Sequence, residues 1–177
     1  RADLAAASGS GVVVLRGQGT GSLGPAVPLA GLQGNWVVSG DFDGDGHPDL
    51  AARSYAGDSI AVVLGDGSGS FGSPITTPVV SDPGPAAAAD LDGDGLDDLV
   101  VPSESGDEVA VLLATGYGTF APPAAYAVGD GPVSVAIGDI DGNGRPDIAV
   151  ANSLSGDVAV LRGLAGGIFT PAARYPA

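Results

Sequence analysis

The chain has 177 residues, a formal net charge of −15, 31 glycines and no cysteine, methionine or lysine. That charge excludes nucleic acid and anionic membrane surfaces as partners, since both call for a basic face, and it favours cations. No apolar run reaches the roughly 18 residues of a membrane span, and no disulfide can form, so any covalent-like staple would have to be a metal.

Of the 21 acids only Glu104 and Glu108 are glutamate. Aspartate, glycine and proline are poor helix formers, so the composition favours strands and turns. In chain order the predicted elements repeat. A short apolar strand (DLAAA, 3–7) is followed by the turn SGSG and a second strand (VVVL, 12–15). After a glycine-rich turn comes a third, proline-bearing strand (PAVPLA, 25–30), which suits a sheet edge. A fourth strand (36–42, WVVSGDF) enters an aspartate-rich loop. The order then recurs, with apolar strands at 49–53, 98–102 and 147–151 and second strands at 60–64, 109–113 and 158–161. Proline-bearing segments follow at 74–80, 122–128 and 170–176, and fourth strands at 86–91 and 133–140.

Asp41, Asp90 and Asp139 open the three complete loops at a spacing of 49 residues. Cutting the chain at these positions gives repeats 1–40, 41–89, 90–138 and 139–177 within a single domain, 1–177. Four short strands in a repeat of about 40–50 residues predict an all-β fold of β-propeller blades, each of four antiparallel strands. A helical solenoid is a poor rival, because no segment sustains a 3.6-residue apolar period.

Each loop reads Asp-x-Asp-x-Asp/Asn-Gly-x-x-Asp. Oxygen ligands at positions 1, 3, 5 and 9, a backbone carbonyl at 7 and a turn-forming glycine at 6 match the front half of an EF-hand loop, without its final glutamate. Hard oxygen donors with no cysteine or imidazole select Ca²⁺. Three sites are expected: Asp41, Asp43, Asp45, the carbonyl of His47 and Asp49; Asp90, Asp92, Asp94, the carbonyl of Leu96 and Asp98; Asp139, Asp141, Asn143, the carbonyl of Arg145 and Asp147. The third has one carboxylate fewer and is expected to be the weakest. Eleven of the 21 acids occupy these positions, and three Ca²⁺ would bring the net charge from −15 to −9. The calcium is expected to be structural.

The segment VAVLLATGYGTFAPPAAYAVGDGPVSVAIGDIDGNGRPDIAVANSLSGDVAVL (109–161) carries the aspartate loop, the VxVL strand and the GxGxF turn in order. It resembles the FG-GAP repeats in their VCBS-like form, and the pattern covers nearly the whole chain. The resemblance implies a calcium-binding propeller, usually of seven blades, similar to integrin α-subunit heads and certain lectins. It further implies an extracellular or cell-surface module for adhesion or recognition of a glycan or protein, rarely catalysis. The name-giving Phe-Gly occurs only at Phe71-Gly72; Phe120 and Phe169 keep the aromatic alone and Leu23 replaces it.

Asp3 aligns with Asp147, so the chain enters inside a loop, and about 3.75 blades are expected, as part of a larger propeller of about seven. Closure of a ring between chains, or stacking into a fibre, are the other ways to complete the blades, so self-assembly through incomplete blades joins the glycan or protein ligand among expected partners. Trp36 is read as an inter-blade packing residue, with a sugar platform as its functional alternative. Tyr117, in a glycine turn, is the most exposed tyrosine candidate. No paired general acid and base stands outside the metal loops, so the chain is not expected to be an enzyme. A subunit of a surface filament or sheath and an accessory propeller of a secreted carbohydrate-active enzyme are the alternative functions.

Overall fold

The computed structural model describes residues 2–54 and 57–177, so Arg1, Tyr55 and Ala56 lie outside the described residues. All named elements are strands, and all pair antiparallel. The first sheet holds β1 (Leu4–Ser8), β2 (Gly11–Gly17) and β3 (Leu23–Leu29). The second runs in order through β4 (Leu32–Gly40), β5 (Asp49–Ser54), β6 (Ser59–Val63) and β7 (Ile75–Pro78). Next come β8 (Ala87–Ala89), β9 (Asp98–Ser103) and β10 (Glu108–Leu112), then a small hairpin of β11 (Ala114–Gly116) and β12 (Thr119–Phe120). β13 (Ala124–Ala127) completes the third sheet against β10. The fourth is β14 (Pro132–Gly138), β15 (Asp147–Asn152), β16 (Asp157–Leu161) and β17 (Ala173–Pro176).

Each sheet after the first begins with the strand that precedes the aspartate loop. Gly40 faces Asp49, Ala89 faces Asp98 and Gly138 faces Asp147 across the ladder. The period cut at 41, 90 and 139 therefore falls within a sheet, in the hairpin loop between its first and second strands. The first sheet has only the three later strands among the described residues.

The sheets stack face to face. Side chains alternate across a strand, and both faces of the second and third sheets find partners. Leu50, Ala52, Ala61 and Val63 pack back on Val12 and Val14 of the first sheet. From the opposite face of the second sheet, Ala51, Ile60 and Val62 meet Leu99, Val101, Ala110 and Leu112 of the third. Val100, Val109 and Val111 then meet Ile148, Val150, Ala159 and Leu161 of the fourth. Burial on both faces is why these strands are nearly continuous apolar runs rather than alternating ones.

Aromatic residues of the glycine turns wedge each junction. Phe71 packs on the core between the first two sheets. Phe120 meets Phe42 edge to face at 5.8 Å, and Phe169 meets Tyr126 at the same distance. Trp36 is buried in the core between the second and third sheets, and its indole N–H donates to the Pro83 carbonyl at 3.3 Å. Its ring serves packing and offers no open face to a sugar. Among the described residues no helix is long and apolar enough to cross a membrane.

Candidate metal centre

The three aspartate loops occupy equivalent hairpins and fold on one plan. The position-1 carboxylate holds the loop from inside. Asp41 accepts from the Gly44 amide through Oδ1 (2.8 Å) and the Gly46 amide through Oδ2 (2.9 Å). Asp90 does the same for Gly93 and Gly95, and Asp139 for Gly142 and Gly144. Position 6 has a left-handed backbone, with φ of 81° at Gly46, 91° at Gly95 and 81° at Gly144, which glycine adopts without strain. Position 3 accepts from the amide of position 5, and position 5 from that of position 7, so the amides of His47, Leu96 and Arg145 donate to Asp45, Asp94 and Asn143 at 2.8 Å. His47 is exposed.

This folding brings carboxylates together. One oxygen from each of Asp41, Asp43 and Asp45 lies within 4.8 Å of the others; so do those of Asp90, Asp92 and Asp94, and of Asp139, Asp141 and Asp147. Two oxygens bound to one Ca²⁺ at ~2.4 Å can be no more than about 5 Å apart, so each trio fits one ion. In the third loop Arg162 stands 3.7 Å from Asp141, a competing positive charge that the first two loops lack among the described ion pairs.

The position-9 aspartates are fully buried and doubly held. Asp49 accepts from the Phe42 amide through Oδ2 and from the Gly65 amide through Oδ1, both at 2.8 Å. Asp98 does so for Leu91 and Ala114, and Asp147 for Ile140 and Gly163. All three position-9 aspartates thus tie the loop to the turn after the next strand, and an oxygen of Asp147 also lies within 4.8 Å of those of Asp139 and Asp141. Burial raises the Asp49 carboxyl above its ordinary range, against the two amides that lower it, with Asp43 and Asp41 adding to the rise. The same balance, with Asp92 and Asp94 as the charged neighbours, pushes Asp98 up to about 6.

Three features were not read from the sequence. Asp3 donates no loop but makes the same tie, accepting from the Gly17 amide at 2.8 Å. The signal was there: an aspartate recurs 14 to 16 residues before the turn residue it holds. Asp58 and Asp107 leave their hairpin turns to accept from the Asp82 and Gly131 amides, fastening the link into the next sheet. Asp97, at position 8 where the other loops have proline, reaches across to the second sheet (2.9 Å to the Asp41 amide). Tyr117 stands 83% exposed at the tip of the β11–β12 hairpin, in a left-handed conformation (φ 56°). A cleft of about 520 Å³ between the first and second sheets is lined by Ala5, Val14, Val38 and Phe71, with Asp3 its one titratable side chain.

Face-to-face antiparallel sheets, three of them carrying an acidic hairpin loop between their first two strands, define a propeller-like repeat protein. The particular family follows from the repeat itself: the FG-GAP-like repeat profile matches residues 1–52, 41–101 and 90–150, and the chain belongs to that family. No curated protein sequence matches it. Among solved structures it is similar to an Agrocybe aegerita lectin described for specific recognition of non-reducing terminal N-acetylglucosamine, with 24% identity, a TM-score of 0.63, and coverage of 98% of this chain and 48% of the lectin. It is also similar to BBS1N, solved in complex with ARL6DN (17% identity, TM-score 0.58, 98% and 52% covered), and to the Photorhabdus luminescens Tc holotoxin pore (20%, 0.50, 94% and 9%). The chain spans about half the length of the first and second of these, and at such identities the likeness concerns the fold.

Proposed function

We propose that the chain is a sector of a larger β-propeller, of about seven blades, whose blades are stapled by Ca²⁺ and which serves as an extracellular or cell-surface recognition module for a glycan or protein. The observation that carries the reading is the triple recurrence of a carboxylate trio at the same hairpin of successive sheets. In the first two loops Asp41, Asp43 and Asp45, and Asp90, Asp92 and Asp94, would hold the ion with help from the carbonyls of His47 and Leu96. In the third, Asp139, Asp141 and Asp147 would do so with Asn143 and the Arg145 carbonyl. Bound Ca²⁺ would supply charge neutralisation and a cross-link between the first two strands of the second, third and fourth sheets. The chain's own residues prepare that site: the position-1 and position-9 aspartates fix the loop through backbone amides, so little ordering remains to be done when the ion binds. Calcium here acts as part of the fold.

Recognition of a glycan is supported by the family and by the fold shared with a lectin, and N-acetylglucosamine-terminated glycans are the natural first probes. Tyr117, an exposed ring at a hairpin tip, is the side chain offered as a sugar platform.

Calorimetric titration with Ca²⁺ in 150 mM salt tests the metal reading, followed by a glycan array in calcium and in chelator. Three binding events and a rise in melting temperature with calcium are expected, together with glycan capture lost in chelator. A chain that takes up no calcium and melts identically in chelator removes the metal reading. A calcium-loaded chain that captures no glycan turns the search to protein ligands.

A further inference from the structure

The two ends of the stack expose positions that are covered at its internal junctions. At the junctions between the second and third and the third and fourth sheets, the apolar residue at loop position 2 is covered by the aromatic of the following sheet's hairpin. Phe42 lies beneath Phe120 and is 0% exposed, and Leu91 shares a core with Phe169 and is 4% exposed. Ile140 holds the same place in the third loop and is 57% exposed. On the same face Val158 and Val160 are half-buried, where their counterparts Val109 and Val111 are buried.

The first sheet presents the opposite half. Leu23 pairs with Gly17 as Phe71 pairs with Gly65 and Phe169 with Gly163, so it holds the wedge position, and it is 44% exposed where Phe169 is 4%. Leu4 is 47% exposed, whereas Leu50, at the same register in the second sheet, is 4% exposed.

We infer that the fourth sheet of one copy docks against the first sheet of a second copy, head to tail, with Leu23 of one covering Ile140 of the other. The inference rests on the propeller reading above and on neither calcium nor a glycan. The internal junctions show what covers such a face: a sheet of this same repeat, carrying an apolar residue at the hairpin wedge and a DLxx strand beside it. This chain carries that half, uncovered, at its other end. The lectin and BBS1N, of which it covers 48% and 52%, are long enough for two such stacks. The contact is heterologous, so copies close into a ring where the rotation permits and otherwise extend.

The test is light scattering on the 177-residue chain and three variants in calcium and 150 mM salt. The expected wild-type mass is two copies or more and rises with concentration. Leu23→Asp and Ile140→Asp each break the contact, weakening association at least about tenfold. An equimolar mixture of the two retains one intact junction, Leu23 of the Ile140→Asp copy against Ile140 of the Leu23→Asp copy, and forms a heterodimer and nothing larger. Leu154→Asp, at an 80% exposed turn, leaves association unchanged. Both test positions are exposed, and unaltered melting of the variants checks that they fold. Wild type at the mass of one copy throughout, variants that associate like wild type, or a mixture no heavier than its parts would overturn the inference. A chain that binds calcium but stays single sinks this inference alone; one that associates without binding calcium upholds it and removes the metal reading.

Discussion

Asp41 and Asp97 are joined by two reciprocal hydrogen bonds across the junction of the second and third sheets. The Asp41 amide donates to Asp97 Oδ2 at 2.9 Å, and the Asp97 amide donates to the Asp41 carbonyl, also at 2.9 Å. The first residue of one acidic loop is thus fastened to the eighth of the next. The other loops have Pro48 and Pro146 at that position, which have no amide to give. Fit around the pair is close: a methyl group on Gly40 would lie 3.0 Å from Asp97 Cβ.

Asp97→Ala leaves the part-buried Asp41 amide without its acceptor and is expected to cost about 1–2 kcal/mol in metal-free buffer. Asp97→Asn keeps an acceptor oxygen and removes a negative charge beside crowded carboxylates, so it is expected to stay within about 0.5 kcal/mol of wild type. Urea unfolding of both variants decides the matter; equal destabilisation by the two would mean that charge, and not the hydrogen bond, is what Asp97 contributes.

Without metal, stability should rise on mild acidification. The folded-state pKa of Asp98 is about 6 against an ordinary 3.8. Between these values the folded chain binds a proton that the unfolded chain does not, so stability increases as pH falls through 6 towards 4. Asp49 contributes in the same direction. Asp157 has the opposite sign: hydrogen bonds from Asn152, Arg174 and Ser155 hold its carboxyl below the ordinary range. Its contribution is present above the ordinary carboxylate range and is lost as pH falls through the lower folded value. Melting temperature in chelator is therefore expected to climb from pH 7 to about pH 5 and to decline in stronger acid. A flat or falling profile between pH 7 and 5 would contradict the buried, charge-crowded setting of Asp98.

The third loop should be the weakest calcium site and should be improved by two changes. Asn143 stands where the other loops have Asp45 and Asp94, and Arg162 lies 3.7 Å from Asp141. Asn143→Asp adds a carboxylate and Arg162→Gln removes the competing cation. Each is expected to tighten the weakest calorimetric phase by roughly threefold to tenfold, leaving the other two phases in place. If the variants alter one of the stronger phases instead, the ranking of sites is wrong.

Tyr117 separates strain from binding. A tyrosine with φ of 56° costs on the order of 1 kcal/mol relative to a residue that adopts the conformation freely, and the side chain, 83% exposed, packs on little in return. Tyr117→Gly is expected to stabilise the chain by roughly 0.5–1 kcal/mol. If the ring is a glycan platform, the same variant loses glycan capture on an array. A more stable variant with unchanged capture would leave the tyrosine without a binding role.

Much of this architecture was legible because it is local. The strands predicted at 60–64 and 109–113 are Ser59–Val63 and Glu108–Leu112, each within one residue. Apolar runs bounded by aspartate and glycine turns leave little choice. The trios of the first two loops were legible for the same reason, since positions 1, 3 and 5 are neighbours in the chain and glycine at position 6 bends them together; in the third, where position 5 is Asn143, the third carboxylate is Asp147. The fourth strand was less so: the segment read at 36–42 is Leu32–Gly40, starting earlier across a register irregularity between Gln33 and Val37 that no composition signal marks.

By itself, the sequence determined the 49-residue repeat, the order of strands and the spacing of oxygen donors, all of which depend on contacts a few residues apart. A period has no phase, however, and only hydrogen bonding between strands decided that each sheet opens before its acidic loop. Chemistry alone could not separate Asp49 from Asp41, or Ile140 from Leu91. Asp49 is buried because its two oxygens meet amides on either side, one of them 16 residues away. Leu91 is covered and Ile140 is bare because a fourth sheet lies over the third and no described sheet lies over the fourth. Those outcomes belong to the packing of distant segments, which only the tertiary structure contains.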